Sequence, residues 1–157
     1  MVIFDVDGVL TDGRLYYADD GGEYKAFHVQ DGSAIKMLRS NGVEVAIISG
    51  RESPSVTRRA AELGIPHVYQ AAADKVSALK ALSQATQIEP AAMAHVGDDL
   101  PDLGLFAAVG LAIGVPNGHS VARAAAGYVT RIAGGHGAAS EVCQLILTAQ
   151  GKWPYHP

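Results

Sequence analysis

The sequence predicts an α/β protein: a mainly parallel β-sheet flanked by helices, with a β-hairpin protruding after the first strand. Three observations carry this. Short apolar runs alternate with helix-like segments along the 157 residues, the pattern of strand–helix–strand units. Aspartate clusters follow two of those runs, at the carboxyl edge where open parallel sheets gather ligands. One aromatic, glycine-punctuated segment interrupts the alternation early in the chain.

The strand candidates are Val2-Ile3-Phe4, Val43 to Ile48, His67-Val68-Tyr69, Met93 to Val96 and Val109 to Ile113, with Tyr128-Val129 as a short edge strand. They are short, apolar and rich in β-branched residues, as strands buried on both faces should be. Helix candidates run from Ser33 to Ser40, Ser53 to Leu63, Lys75 to Thr86, Leu100 to Ala107, Ser120 to Ala125 and Ala138 to Ala149. Asn41-Gly42 and Gly64 end the first two, and Ser53-Pro54 reads as an N-cap followed by proline at the first helical position. The last helix sets Val142, Leu145, Ile146 and Ala149 on one face, which should dock on the sheet. No repeat or linker divides the chain, so residues 1–157 read as one domain, with a hairpin insertion at about 13–29 and a tail at 150–157.

In the insertion, Arg14-Leu15-Tyr16-Tyr17 and Glu23-Tyr24-Lys25-Ala26-Phe27-His28-Val29 flank Asp19-Asp20-Gly21-Gly22, a hairpin signal. Two strands alone are marginal in water, and Tyr16, Tyr17, Tyr24 and Phe27 would be poorly covered in so small a domain. The expectation is that hairpins of several subunits pack together; the competing reading is a flap over the chain's own site.

Composition excludes several function classes. Apolar residues at 48% and charged residues at 18% describe a compact chain rather than a disordered one. A net charge of −4 without any Lys/Arg block argues against nucleic-acid binding. The longest apolar stretches, about six residues, are far shorter than a membrane span, and the chain opens on a strand-like run without a basic leader. Cys143 is the single cysteine, so no intrachain disulfide forms, a cytoplasmic location is the natural reading, and the thiol itself reads as core.

The chemistry sits in the acid clusters. Asp5-Val6-Asp7 follows the first strand, and Asp98-Asp99 with Asp102 follows Ala94-His95-Val96-Gly97. Brought to one edge, they make a hard, oxygen-lined site suited to Mg²⁺ and a phosphate group. A carboxylate nucleophile attacks phosphorus only when its charge and that of the phosphate are offset, which a divalent metal and Lys75 would do. Asp7, two residues on, is placed to protonate a leaving alkoxide and later deprotonate water. Ser49-Gly50-Arg51 after the second strand offers a hydroxyl and backbone N–H groups to phosphoryl oxygens. Gly8 and Gly97 permit close backbone approach.

Each residue has a plainer reading as well. Asp5 and Asp7 could be a solvated turn, and Lys75 a surface residue at a helix start. Asp98, Asp99 and Asp102 could cap a helix, and Asp99 could do only that. Asp12 could simply stabilise the loop into the hairpin. Arg51 and Arg59 are candidate contacts for a substrate carboxylate, although Arg59 beside Arg58 also fits a solvated helix face. The six histidines show no i, i+4 pair; His95 reads as a hydrogen-bonded core residue, and His28 as lining either the site mouth or an interface.

In chain order, Asp5-Val6-Asp7-Gly8-Val9-Leu10-Thr11-Asp12, Ser49-Gly50, Lys75 and Gly97-Asp98-Asp99-Leu100-Pro101-Asp102 resemble the motifs of the haloacid dehalogenase (HAD) superfamily of Mg²⁺-dependent phosphotransferases. That resemblance implies a Rossmann-like HAD fold. Phe27-His28-Val29-Gln30-Asp31-Gly32, Ile48-Ser49-Gly50-Arg51, Ala61-Glu62-Leu63-Gly64-Ile65 and Gly134-Gly135-His136-Gly137-Ala138 narrow it to a cap-less subgroup, the 3-deoxy-D-manno-octulosonate 8-phosphate (KDO 8-phosphate) phosphatases.

The resemblance implies a phosphoric monoester hydrolase of lipopolysaccharide precursor synthesis, acting on a sugar-acid phosphate through an aspartyl-phosphate on Asp5. Asp7 would be its general acid/base. Mg²⁺ would be held by the Asp5 side chain, the Asp7 backbone carbonyl and Asp98, supported by Asp102. Lys75 would neutralise Asp5 and phosphate, and Ser49 and Gly50 would hold phosphoryl oxygens. It further implies a tetramer built through the hairpins, a neighbouring subunit replacing the missing cap, and a tail able to reach a neighbouring site. A related nonulosonate (KDN or sialic acid) 9-phosphate phosphatase is the alternative, against which Arg51 speaks, since those relatives tend to carry glutamate there. A non-catalytic scaffold module is a further alternative, opposed by retention of the whole acidic and lysine set. The chain departs from the pattern at Ser140, where relatives carry arginine, and at Ala71, where a loop glycine is usual.

Overall fold

Val2 and Phe4 face one side of the first strand and Ile3 the other, and this alternation divides the core into two layers. In the computed structural model, which describes residues 1–155, the strands are β1 (Val2–Phe4), β2 (Tyr16–Tyr17), β3 (Glu23–Tyr24), β4 (Val45–Ile48), β5 (His67–Tyr69), β6 (Ala94–Gly97), β7 (Leu111–Gly114) and β8 (Tyr128–Val129). The helices are α1 (Val29–Ser40), α2 (Pro54–Leu63), α3 (Lys75–Thr86), α4 (Leu103–Phe106), α5 (Ser120–Ala125) and α6 (Ala138–Ala149). Six strands form one parallel sheet in the order β5-β4-β1-β6-β7-β8. The chain runs outward from β1 to β5, then returns to β6, so strand order reverses between β1 and β6. A crevice opens at their carboxyl ends.

One layer joins Val2, Phe4, Ile47, Val96 and Ile113 to Ile35 and Leu38 of α1, Leu63 of α2, and Val142, Cys143 and Leu147 of α6. The other joins Ile3, Ala46 and Ile48 to Leu79 and Leu82 of α3 and to Leu105 of α4. Cys143 is free and buried, as expected.

Several boundaries differ from the sequence expectations, each for a physical reason. β4 begins at Val45 rather than Val43 because its parallel ladder starts where β1 does, Val2 opposite Val45. α1 begins four residues before Ser33. Gly32 disguised this start, yet it lies inside the helix, where a Cβ would stand 2.3 Å from Arg59 Nη2. The helix expected from Leu100 to Ala107 opens as a 3-10 turn over Leu100–Asp102, with Pro101 in it and an Asp99–Asp102 capping box, before α4. Ser53 takes the N-cap position of α2, but its hydroxyl makes no cap bond. The docked face of α6 is Ala138, Ala139, Val142, Cys143 and Leu147 with Ile146; Leu145 and Ala149 face outward, a correction of one helical position.

The hairpin forms, but only two residues on each arm pair, Tyr16 with Tyr24 and Tyr17 with Glu23. The start of the tail folds back on its own chain: Lys152 N and Nζ donate to Leu147 O and Asn41 O, both at 2.8 Å, and Trp153 packs on the core. The remainder of the expected tail, His156 and Pro157, lies outside the described residues. Among the described residues no helix is long and apolar enough to cross a membrane.

Candidate active site

Asp5 leaves β1 and Asp98 leaves β6 at the two strands that flank the reversal of strand order. The cleft between them, about 320 Å³, is lined by Asp5, Asp7, Ser49, Gly50, Arg51, Lys75, Asp98, Asp99 and Asp102, together with Gly13, Leu15 and Pro101. All the predicted site residues except Arg59 meet there. Arg59 instead lies over the Phe27 ring, 5.9 Å from its centroid, and pairs with Glu62 at 3.4 Å.

Lys75, the first residue of α3, is 6% exposed and reaches two carboxylates: Asp5 Oδ2 at 3.0 Å and Asp102 Oδ1 at 2.7 Å. Burial alone would lower its pKa, but Asp5 and Asp102 outweigh this and raise it, so the ammonium stays charged. Asp102 is fully buried and wholly occupied. Its Oδ1 accepts from Lys75 and lies 2.9 Å from His95 Nε2, while its Oδ2 accepts from the N–H groups of Asp98 at 3.0 Å and Asp99 at 3.1 Å. Burial raises its pKa, but the His95 and Lys75 contacts prevail and hold the carboxyl well below the usual carboxylate range.

Asp98 is the opposite case. Its side chain accepts no hydrogen bond among the described residues. Burial, followed by the charges of Asp5 and Asp102, pushes it up to about 8. Burial also raises Asp5, with Lys75 opposing it. One oxygen from each of Asp5, Asp98 and Asp102 lies within 4.8 Å of the others. Two buried carboxylates and a half-buried one this close, the last without a donor among the described residues, form a donor set that a hard divalent cation fits. Gly8 makes the approach possible: its φ is +97°, and a Cβ there would stand 2.0 Å from Asp98 Oδ2.

The plainer readings fare unevenly. Asp99 does cap the turn, accepting from Leu100 N at 2.8 Å. Asp12 accepts from Arg14 N and Tyr16 Oη, tying the loop to the hairpin. His95 is a hydrogen-bonded core residue, but its partner is Asp102, so it also orients the site; a polar side chain amid an apolar strand was the available signal. His28 lies outside the cleft, its buried Nδ1 without a hydrogen bond among the described residues.

Sequence reasoning missed Asn117, whose amide donates to Gly8 O at 2.9 Å and accepts from Gly134 N at 2.7 Å, pinning the glycine-rich loop against the first motif. It also gave Thr11 no role. That buried hydroxyl accepts from Gly8 N and Gly13 N and donates to Val6 O, closing the loop after β1. Ser140 does not line the cleft; its N–H donates to Asp31 Oδ1 at 2.7 Å. Ala71, the other departure, has φ +51°, the conformation that favours glycine.

A parallel sheet with this acid-and-lysine crevice at its reversal point is the arrangement of a haloacid dehalogenase-like hydrolase, and the model of that family matches residues 64–141. The chain is 47% identical over 152 residues to 3-deoxy-D-manno-octulosonate 8-phosphate phosphatase KdsC of Escherichia coli K12, covering 97% of this chain and 81% of the relative. With that identity over almost its whole length, the chain belongs to the KDO 8-phosphate phosphatase family. Among solved structures it is similar to the Moraxella catarrhalis phosphatase in complex with magnesium, phosphate and KDO. The TM-score there is 0.95 at 47% identity, covering 97% of this chain and 87% of that one. The Yersinia pestis phosphatase is similar too, with a TM-score of 0.95 at 46% identity, covering 97% of this chain and 82% of that one.

Proposed function

We propose that the chain is a single-domain, Mg²⁺-dependent phosphatase that hydrolyses KDO 8-phosphate to KDO and phosphate through an aspartyl-phosphate on Asp5. The observation that carries this is the pairing of Asp5 with buried, charged Lys75 beside donor-free Asp98. Membership of a family whose Moraxella member is in complex with magnesium, phosphate and KDO supports the substrate and the ion.

An Asp5 oxygen attacks phosphorus while the bond to the sugar oxygen breaks, and Asp7 gives that oxygen a proton. Water then attacks the phospho-aspartate with Asp7 taking its proton, and the bond from Asp5 to phosphorus breaks to release phosphate. Lys75 offsets charge on Asp5 and on the phosphoryl group throughout, and Ser49 and Gly50 hold phosphoryl oxygens. The Asp5 side chain, the Asp7 carbonyl and Asp98, with Asp102 behind, would hold Mg²⁺, which would add neutralisation between anionic nucleophile and anionic substrate. Arg51, which lines the cleft, is the candidate contact for the substrate carboxylate; Arg59 would need a rearrangement to serve.

The assembly belongs to the same reading. Leu15, Tyr16, Tyr17, Tyr24 and Val29 are exposed in one chain, which supports a tetramer joined through the hairpins. The single buried thiol suits a cytoplasmic enzyme.

Phosphate release from a panel of sugar and sugar-acid phosphates, with Mg²⁺ and with chelator, tests the proposal. KDO 8-phosphate is expected to be the best substrate, with Asp5→Asn at least about a thousandfold slower. Retained turnover in that variant overturns covalent catalysis by Asp5, a better nonulosonate 9-phosphate overturns the substrate, and light scattering from a monomer overturns the assembly.

A further inference from the structure

Glu23 and Lys25 of the hairpin close a ring of four alternating charges with Asp7 and Arg51 of the site loops. Lys25 Nζ bonds Asp7 Oδ1 and lies 3.3 Å from Glu23 Oε1. Glu23 Oε2 accepts from Arg51 Nη2 at 2.5 Å, and Arg51 Nε stands 3.8 Å from Asp7 Oδ2. Each carboxylate thus gives one oxygen to the lysine and turns the other towards the arginine. The Lys25 side chain is only 2% exposed. It does not line the catalytic cleft; it backs Asp7 from the neighbouring hollow, beside Phe27 and Arg59. A lysine this buried carries a desolvation cost that two carboxylates offset, so its place is well determined.

We propose that Lys25 is a positioning residue for Asp7: by holding Oδ1 from behind, it leaves Oδ2, on the Arg51 side of the cleft, as the oxygen that carries the proton to the leaving group. Glu23 keeps Lys25 aligned, and Arg51 marks the open side. The inference rests on the phosphatase reading above and on Asp7 as its general acid. An acid able to turn about its own bond spends part of its time aimed wrongly, and proton transfer requires hydrogen-bond reach of the leaving oxygen. The rate lost on freeing Asp7 must therefore depend on how much the leaving group needs a proton.

The experiment compares the full-length protein with Lys25→Met and Lys25→Arg in the presence of Mg²⁺. Phosphate release is measured from KDO 8-phosphate, a poor alkoxide leaving group, and from p-nitrophenyl phosphate, whose phenolate departs without help. Lys25→Met is expected to lose about a hundredfold in kcat on the sugar phosphate with KM little changed, and less than about threefold on the aryl ester. Lys25→Arg is expected to restore most of the sugar-phosphate rate. Glu23→Gln, which removes only the partly exposed second partner, should shift the two rates in the same sense and serves if Lys25→Met does not fold. Equal losses on both substrates, or no loss on either, overturn the positioning role. Failure of the wild-type protein to hydrolyse any alkyl phosphate overturns the phosphatase reading, and this inference with it.

Discussion

Replacing Asp102 by asparagine tests how the site is held together. In either amide orientation donors lose their acceptor: the two part-buried N–H groups in one, buried Lys75 in the other. If the asparagine oxygen stays with Lys75 and His95, its –NH₂ faces the N–H groups of Asp98 and Asp99; if it flips, the –NH₂ faces Lys75 and His95. Each stranded donor costs about 1–3 kcal/mol. Part is recovered because one of three crowded carboxylates is gone, which relieves Asp98, and because Lys75 keeps Asp5 at 3.0 Å.

The balance is a loss of about 3 kcal/mol, near the lower end for breaking a buried ion pair. For a chain of this size that lowers the melting temperature by roughly 6–12 °C. Thermal unfolding followed by circular dichroism in chelator is the assay, so that metal binding does not contribute. Because the Asp102 carboxyl sits below its usual range in the fold, its stabilisation is complete above the unfolded value of about 3.9 and is lost as pH falls through the folded value. The gap between wild type and variant should therefore close in acid. A shift smaller than about 2 °C at neutral pH would refute the reasoning that this carboxylate braces the cleft.

Glu141 accepts from Tyr128 Oη and from the N–H groups of Arg131 and Ile132, and these bonds, against the opposing effect of burial, hold it below the usual glutamate range. Glu141→Gln should cost about 2 kcal/mol in urea unfolding at neutral pH, a difference that persists above about pH 4.3 and fades below it. Ala71 sits in the left-handed region at φ +51°, so Ala71→Gly should stabilise by about 0.5–1 kcal/mol, read as a higher urea midpoint. Burial, with Asp31 adding to it, pushes the Cys143 thiol far up; iodoacetamide should leave it untouched in the native protein and alkylate it in denaturant, as followed by mass spectrometry.

The sheet was legible because strands of a covered parallel sheet are short apolar runs, and all six parallel strands overlap such runs. Their boundaries were less so, since a strand ends where its neighbour stops pairing, as Val45 opposite Val2 shows. α1 was shortened in the sequence reading because a glycine inside a helix looks like a stop unless the approach of Arg59 is known. Most of the cleft was legible because its residues follow strand ends in order. Asn117, Thr11 and Lys25 were not: each acts through a partner distant in sequence or through backbone atoms, and pattern alone does not reveal which buried polar group meets which. Arg59 was drawn toward the site by its charge, yet an arginine stem is also apolar, and here it rests on Phe27.

The hairpin looks two ways. Exposed Tyr16 and Tyr24 share one face, while Lys25 and Glu23 on the other, with Tyr17 opposite Glu23, touch Asp7 and Arg51. With only two paired residues on each arm, it has little rigidity of its own. Whatever covers the tyrosines therefore also steadies the charges beneath them, and in a hairpin-joined tetramer that cover is other copies of the chain. Specific activity would then fall on dilution before any helix or parallel strand unfolds, and a catalytic rate would report how many subunits are present.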